Sequence, residues 1–118
     1  MGEPRLTVLA LVLDDDLRAL IRHMLGGPDC EVVVAGTANE ALGLARSTEV
    51  DLLLTEVSPA LQGRAIAERL RDDNPELSVL YVIDHPDLTG LEGEATLRKP
   101  FSRDELTRAI SALRRERG

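Results

Sequence analysis

Three stretches of this chain are apolar without alternation: Val8 to Leu13, Leu52 to Leu54, and Val79 to Ile83. A strand with one wet face alternates apolar and polar residues. An unbroken apolar strand has both faces covered, which is the signature of a parallel sheet held between two layers of helices. The stretches between these runs repeat at helical spacing. Leu17, Leu20, Ile21, Met24 and Leu25 predict a first helix, which Gly26-Gly27-Pro28 stops. Thr37 with Glu40 predicts a capped second helix burying Ala38, Ala41, Leu42 and Ala45. A third helix is expected from about Arg64 to Arg71, burying Ile66, Ala67 and Leu70. The last starts at Ser102 with Glu105 as its reciprocal cap and an inner stripe of Leu106, Ala109, Ile110 and Leu113. Strands are expected at about Thr7–Leu13, Glu31–Ala35, Asp51–Thr55, Ser78–Ile83 and Ala95–Leu97. Strand alternating with helix, joined by right-handed crossovers, gives an α/β doubly wound sheet of five parallel strands.

Composition narrows the roles open to such a domain. The chain has 118 residues, enough for one domain (1–118) with a real core, and it shows no repeat or linker. A net charge of −7 argues against a nucleic-acid partner, which needs a basic face. Tyr81 and Phe101 are the only aromatics, too few for a base-stacking platform. No run approaches the ~20 apolar residues of a membrane span, and no secretory leader is visible. The single cysteine, Cys30, cannot form an internal disulfide and reads as a small core residue in a cytoplasmic protein.

Sites on open parallel sheets lie at the carboxyl ends of the strands. The residues there are Asp14-Asp15-Asp16, then Glu56, then Ile83-Asp84, then Lys99. Taken singly they are unremarkable: the aspartates suit a helix N-terminus, Glu56 is a strand-end acid, and Lys99 is a solvated charge. Their conjunction is informative. Carboxylates at one rim repel by about 4 kcal/mol per pair at 4 Å and an effective dielectric of 20. Lys99, the chain's only lysine, or a divalent cation would offset that. His23 and His85 have no partners at metal-ligand spacing and are expected at the surface.

With Lys99-Pro100-Phe101, Asp51-Leu-Leu-Leu-Thr-Glu-Val and Gly63-Arg-Ala-Ile-Ala-Glu-Arg-Leu-Arg in view, the chain resembles the receiver domains of bacterial two-component response regulators. It looks most like those attached to hybrid histidine kinases. The resemblance implies a flavodoxin-like sheet of order 2-1-3-4-5. It also implies an Mg2+ site at an acid pair after the first strand, carried over to Asp14 and Asp15. It implies an acceptor aspartate at the position of Glu56, a hydroxyl residue at that of Ile83, and a phosphoryl-gripping lysine at Lys99. An ungapped register would instead put Val12 and Leu13 at the acid pair. Asp14 and Asp15 are preferred because they end the apolar run.

Four positions depart from that pattern. Glu56 is one methylene longer than the acceptor, about 1.5 Å, where a 1 Å misplacement can cost about 100-fold. Ile83 lacks the hydroxyl. Asp84 adds a negative charge where the family has a small residue. Thr96 stands where an aromatic couples the site to the outer face. The 15 residues between Ile83 and Lys99 include Pro86, Gly90 and Gly93, so the fourth helix of the family is expected to be short or missing. The expectation is a pseudo-receiver with a Glu56–Lys99 ion pair, no enzymatic activity, and weak or absent Mg2+ binding. It would act on a histidine kinase or another signalling protein, or as a homodimer, and not on nucleic acid or membrane. The alternative is a working Mg2+-dependent phosphoacceptor.

Overall fold

A computed structural model describes residues 5–58, 61–84 and 90–117. Five strands, β1 (Leu6–Leu11), β2 (Cys30–Ala35), β3 (Leu52–Glu56), β4 (Ser78–Ile83) and β5 (Ala95–Arg98), form one parallel sheet of order β2-β1-β3-β4-β5. The helices are α1 (Asp15–Leu25), α2 (Ala38–Ser47), α3 (Gly63–Asp73) and α4 (Arg103–Arg117).

Side chains alternate along each strand, so the unbroken apolar runs supply two separate cores. Leu9, Leu11, Leu53, Val79 and Tyr81 face α2 and α3, packing with Ala41, Ile66, Ala67 and Leu70. Val8, Ala10, Val12, Leu52, Leu54 and Val82 face α1 and α4, packing with Ile21, Leu106 and Ile110. All residues of β3 and β4 are buried, as two-sided coverage requires.

The caps follow the sequence. Ser102 Oγ accepts from the Glu105 amide at 3.1 Å, and Glu105 accepts from the Ser102 amide at 3.0 Å. At α2, Thr37 accepts from the Glu40 amide at 3.1 Å, but Glu40 reaches back to the Gly36 amide, one residue beyond the expected box. Gly63 opens α3 directly against the end of β3. A Cβ there would meet Thr55 Oγ1 at 2.5 Å and the Glu56 carbonyl at 2.7 Å.

Three expectations are corrected. The first strand ends at Leu11, not Leu13, because the Leu13 amide leaves the ladder for a side chain. The third strand extends to Glu56, whose following amide, that of Val57, still bonds Val82 at 3.2 Å. Cys30 is only half-buried, at the open start of β2, and burial raises its thiol pKa, with Arg114 and Arg5 opposing.

Between β4 and β5, residues 90–94 form turns rather than a helix. Leu91 dips into the α3-side core at 3% exposure, and Arg71 of α3 holds Glu94 through two hydrogen bonds of 3.2 and 3.3 Å. The expected absence of a long fourth helix falls partly on residues 85–89, which lie outside the described residues, as does His85.

Candidate functional site

The carboxyl ends of β1, β3, β4 and β5 converge because parallel strands all point one way. β3 delivers Glu56, in register with Val82 of β4, and Ile83 pairs with Arg98. The Lys99 amide continues that ladder to the Ile83 carbonyl at 2.9 Å, which fixes the lysine one residue past β5. The Lys99–Pro100 peptide is cis.

Glu56 is the only buried acid among the described residues, at 8% exposure. Both of its oxygens are engaged. Oε1 accepts from the Leu13 amide at 2.7 Å, and Oε2 forms an ion pair with Lys99 Nζ. Lys99 also lies 3.4 Å from Asp84. Burial pulls the Lys99 ammonium toward its neutral form. The hydrogen bond and charge of Glu56, with Asp84 adding to them, outweigh that and hold its pKa above the usual lysine value. The two carboxylates therefore share one fixed cation.

The other sequence candidates divide. Ile83 is buried in the α2/α3-side core. Asp84 is exposed and joins the site through Lys99. Thr96 is half-buried and sits beside Tyr81 in the sheet register, so the chain's one tyrosine lies on β4, buried at 3% exposure, instead of on β5.

Asp14 and Asp15 do not reach Glu56 by any hydrogen bond. Asp14 is the N-cap of α1, with Oδ1 accepting from the Asp16 and Leu17 amides at 2.7 and 3.4 Å. Asp15 is exposed and pairs with Arg18. The strand therefore does not run to the acid pair as the apolar run does; Val12, Leu13 and the capping Asp14 separate β1 from α1. With Glu56 held by an amide and an ammonium, this donor set does not fit Mg2+, which takes oxygen ligands in a near-octahedral shell. Among the described residues no group of three or more His, Cys, Asp or Glu is placed to hold a metal.

Two contributors escape a reading by residue type. Leu13 acts through its backbone, and Arg18 donates to the carbonyls of Val12 and Leu13 at 2.6 and 3.1 Å. The ungapped register, which puts Val12-Leu13 at this corner, was the one signal pointing to Leu13. No described helix is long and apolar enough to cross a membrane.

Comparison with known proteins gives a consistent answer. The family model for the response regulator receiver domain matches residues 10–111. Among solved structures, the signal receiver domain of an HD domain-containing protein from Pseudomonas fluorescens Pf-5 superposes with a TM-score of 0.84 at 22% identity. That match covers 96% of this chain and 97% of the other. A chemotaxis response regulator of Vibrio cholerae gives 0.82 at 21% identity, over 92% and 98%. A response regulator from Thermotoga maritima, solved in complex with Mg2+-BeF, gives 0.77 at 21% identity, also over 92% and 98%. No curated protein matches the sequence.

Proposed function

The chain belongs to the response regulator receiver domain family of two-component signalling, and on that premise we propose that it is a pseudo-receiver, signalling by protein–protein contact rather than by a phosphoryl-gated switch. The observation that carries this reading is the engagement of both Glu56 oxygens, by the Leu13 amide and by Lys99. A carboxylate so held is a poor nucleophile, because attack requires breaking one charge-assisted contact before any bond to phosphorus forms.

The neighbours support the same reading. Ile83 offers no hydroxyl to a phosphoryl oxygen, and Asp84 sets a negative charge 3.4 Å from the lysine that would bind it. Thr96 lacks the ring whose movement would carry a signal to β5. The Glu56–Lys99 pair fixes one charge state at the rim. It mimics a phosphorylated site only in part, since a carboxylate carries one charge and a phosphoryl group nearly two with three acceptor oxygens. Leu13 and Val57, which flank Glu56 through its hydrogen bond and its peptide bond, are exposed apolar side chains suited to protein contact. The proposed partner is a histidine kinase or another signalling protein, with no role for Mg2+.

Intact-mass measurement after incubation with a small phosphodonor and Mg2+ tests the proposal. The expected result is no added phosphoryl group on the natural chain. A stoichiometric gain that is lost in Glu56→Gln would instead establish a working phosphoacceptor. Gain in Glu56→Asp alone would trace the loss to the one methylene.

A further inference from the structure

The β1–α1 loop, residues Val12 to Asp14, is anchored at its two ends, by the Val12 amide donating to the Ala35 carbonyl at 3.0 Å and by Asp14 capping α1, while its middle residue, Leu13, belongs to neither the sheet nor the helix. Its Leu13 amide nevertheless lies 2.7 Å from Glu56 Oε1. The carbonyls of Val12 and Leu13 are both held by a single side chain. Arg18, from the first turns of α1, folds back beneath the loop. Nη1 donates to the Val12 carbonyl at 2.6 Å and to the Leu13 carbonyl at 3.1 Å, and Nη2 pairs with Asp15. The Arg18 side chain is mostly buried, at 19% exposure, while that of Asp15 is 89% exposed. The two carbonyl bonds therefore dominate the clamp, and the acid adds little. Opposite the loop stands Gly36, just past β2. A Cβ there would lie 2.5 Å from Arg18 Nη1, so the absence of a side chain makes the room the guanidinium fills.

These contacts form a chain from Gly36 to Arg18, to the Val12 and Leu13 carbonyls, through the Leu13 peptide to Glu56, and on to Lys99. We infer that Arg18 is the positioning residue that keeps the β1–α1 loop closed on Glu56, so that the Glu56–Lys99 arrangement persists with a side-chain cation, and no divalent ion, organising the loop. The inference rests on the pseudo-receiver reading for its significance but not for its test. A guanidinium suits the task, because the two hydrogens of Nη1 serve the two successive carbonyls while Nη2 remains free to pair with Asp15.

Site-resolved amide hydrogen exchange on the intact chain reads the clamp directly. In Arg18→Ala the Leu13 amide is expected to exchange roughly tenfold faster or more, the effect of losing hydrogen bonds from a charged donor. The Leu9 and Leu53 amides in the sheet should keep their protection. Arg18→Lys should restore part of it. Gly36→Ala, which leaves Arg18 in place but crowds its guanidinium, should shift the Leu13 amide in the same direction. Unchanged Leu13 exchange in both Arg18→Ala and Gly36→Ala overturns the inference, as does equal acceleration at Leu9, Leu13 and Leu53. Neither result depends on whether the chain accepts a phosphoryl group, so the loop and the phosphorylation chemistry can fail separately.

Discussion

A charged side chain at 8% exposure, as Glu56 is, is tolerated only through its partners. Lys99→Ala leaves it with the Leu13 amide alone and should lower unfolding free energy by about 1–3 kcal/mol, the cost of a buried polar group that loses its partner. The cost stays below that of a fully buried pair because the Lys99 side chain is 26% exposed. Replacing both, as Glu56→Leu with Lys99→Met, should restore most of the loss, since apolar replacement of an ion pair is often neutral or better. Urea denaturation of Glu56→Leu, Lys99→Met and their double variant, read as a cycle with Lys99→Ala measured beside it, checks this. The pair also predicts an alkaline limit. The Lys99 pKa is raised on folding, so its contribution is fully present below the ordinary lysine pKa of about 10.4 and is lost as pH rises through the folded value. Tyr81 and Cys30, both raised mainly by burial, weaken the fold over a similar range. The difference between the natural chain and Lys99→Ala therefore isolates the lysine, and it should shrink above that pH. A difference that grows with pH would contradict the pairing.

At the scale of elements, much was legible because local rules and burial agree. The Ser102–Glu105 cap and the Leu106 and Ile110 stripe of α4 follow from spacing alone. Ser102→Ala should cost about 1 kcal/mol, the usual value of an N-cap, measured as a shift in the urea midpoint. The β1–α1 corner was less legible. Asp14 to Asp16 look like the end of a strand because three acids follow six apolar residues. The chain instead turns two residues earlier, drawn by an amide-to-carboxylate bond across 43 positions of sequence, and no local pattern encodes such a bond. The β4–β5 connection shows another limit. Its proline and two glycines argue against a long helix, but they do not reveal that Leu91 enters the core. Leu91→Ala should cost about 2–5 kcal/mol, as for other fully buried leucines, although it lies among turns. A loss below 0.5 kcal/mol would mean the segment is not anchored there.

Across the whole molecule, the two cores follow from unbroken apolar strands, the strand order is the one the receiver resemblance implies, and the family model spans residues 10–111. The sheet is therefore the one shared by signalling receivers, and the distinctive charged side chains meet at one rim. There Glu56 and Lys99, 43 residues apart, meet because β3 and β5 end on either side of β4. On the proposed reading, a site closed by the Glu56–Lys99 pair should leave the chain in one state. The most direct test is an amide NMR titration of the intact chain with Mg2+ and then with beryllofluoride, a phosphoryl mimic. The account predicts that the Leu13, Glu56, Thr96 and Lys99 signals stay in place at saturating additive. Saturable shifts that begin at Glu56 and spread through Thr96 along β5 would contradict it, and would show a working phosphoryl switch.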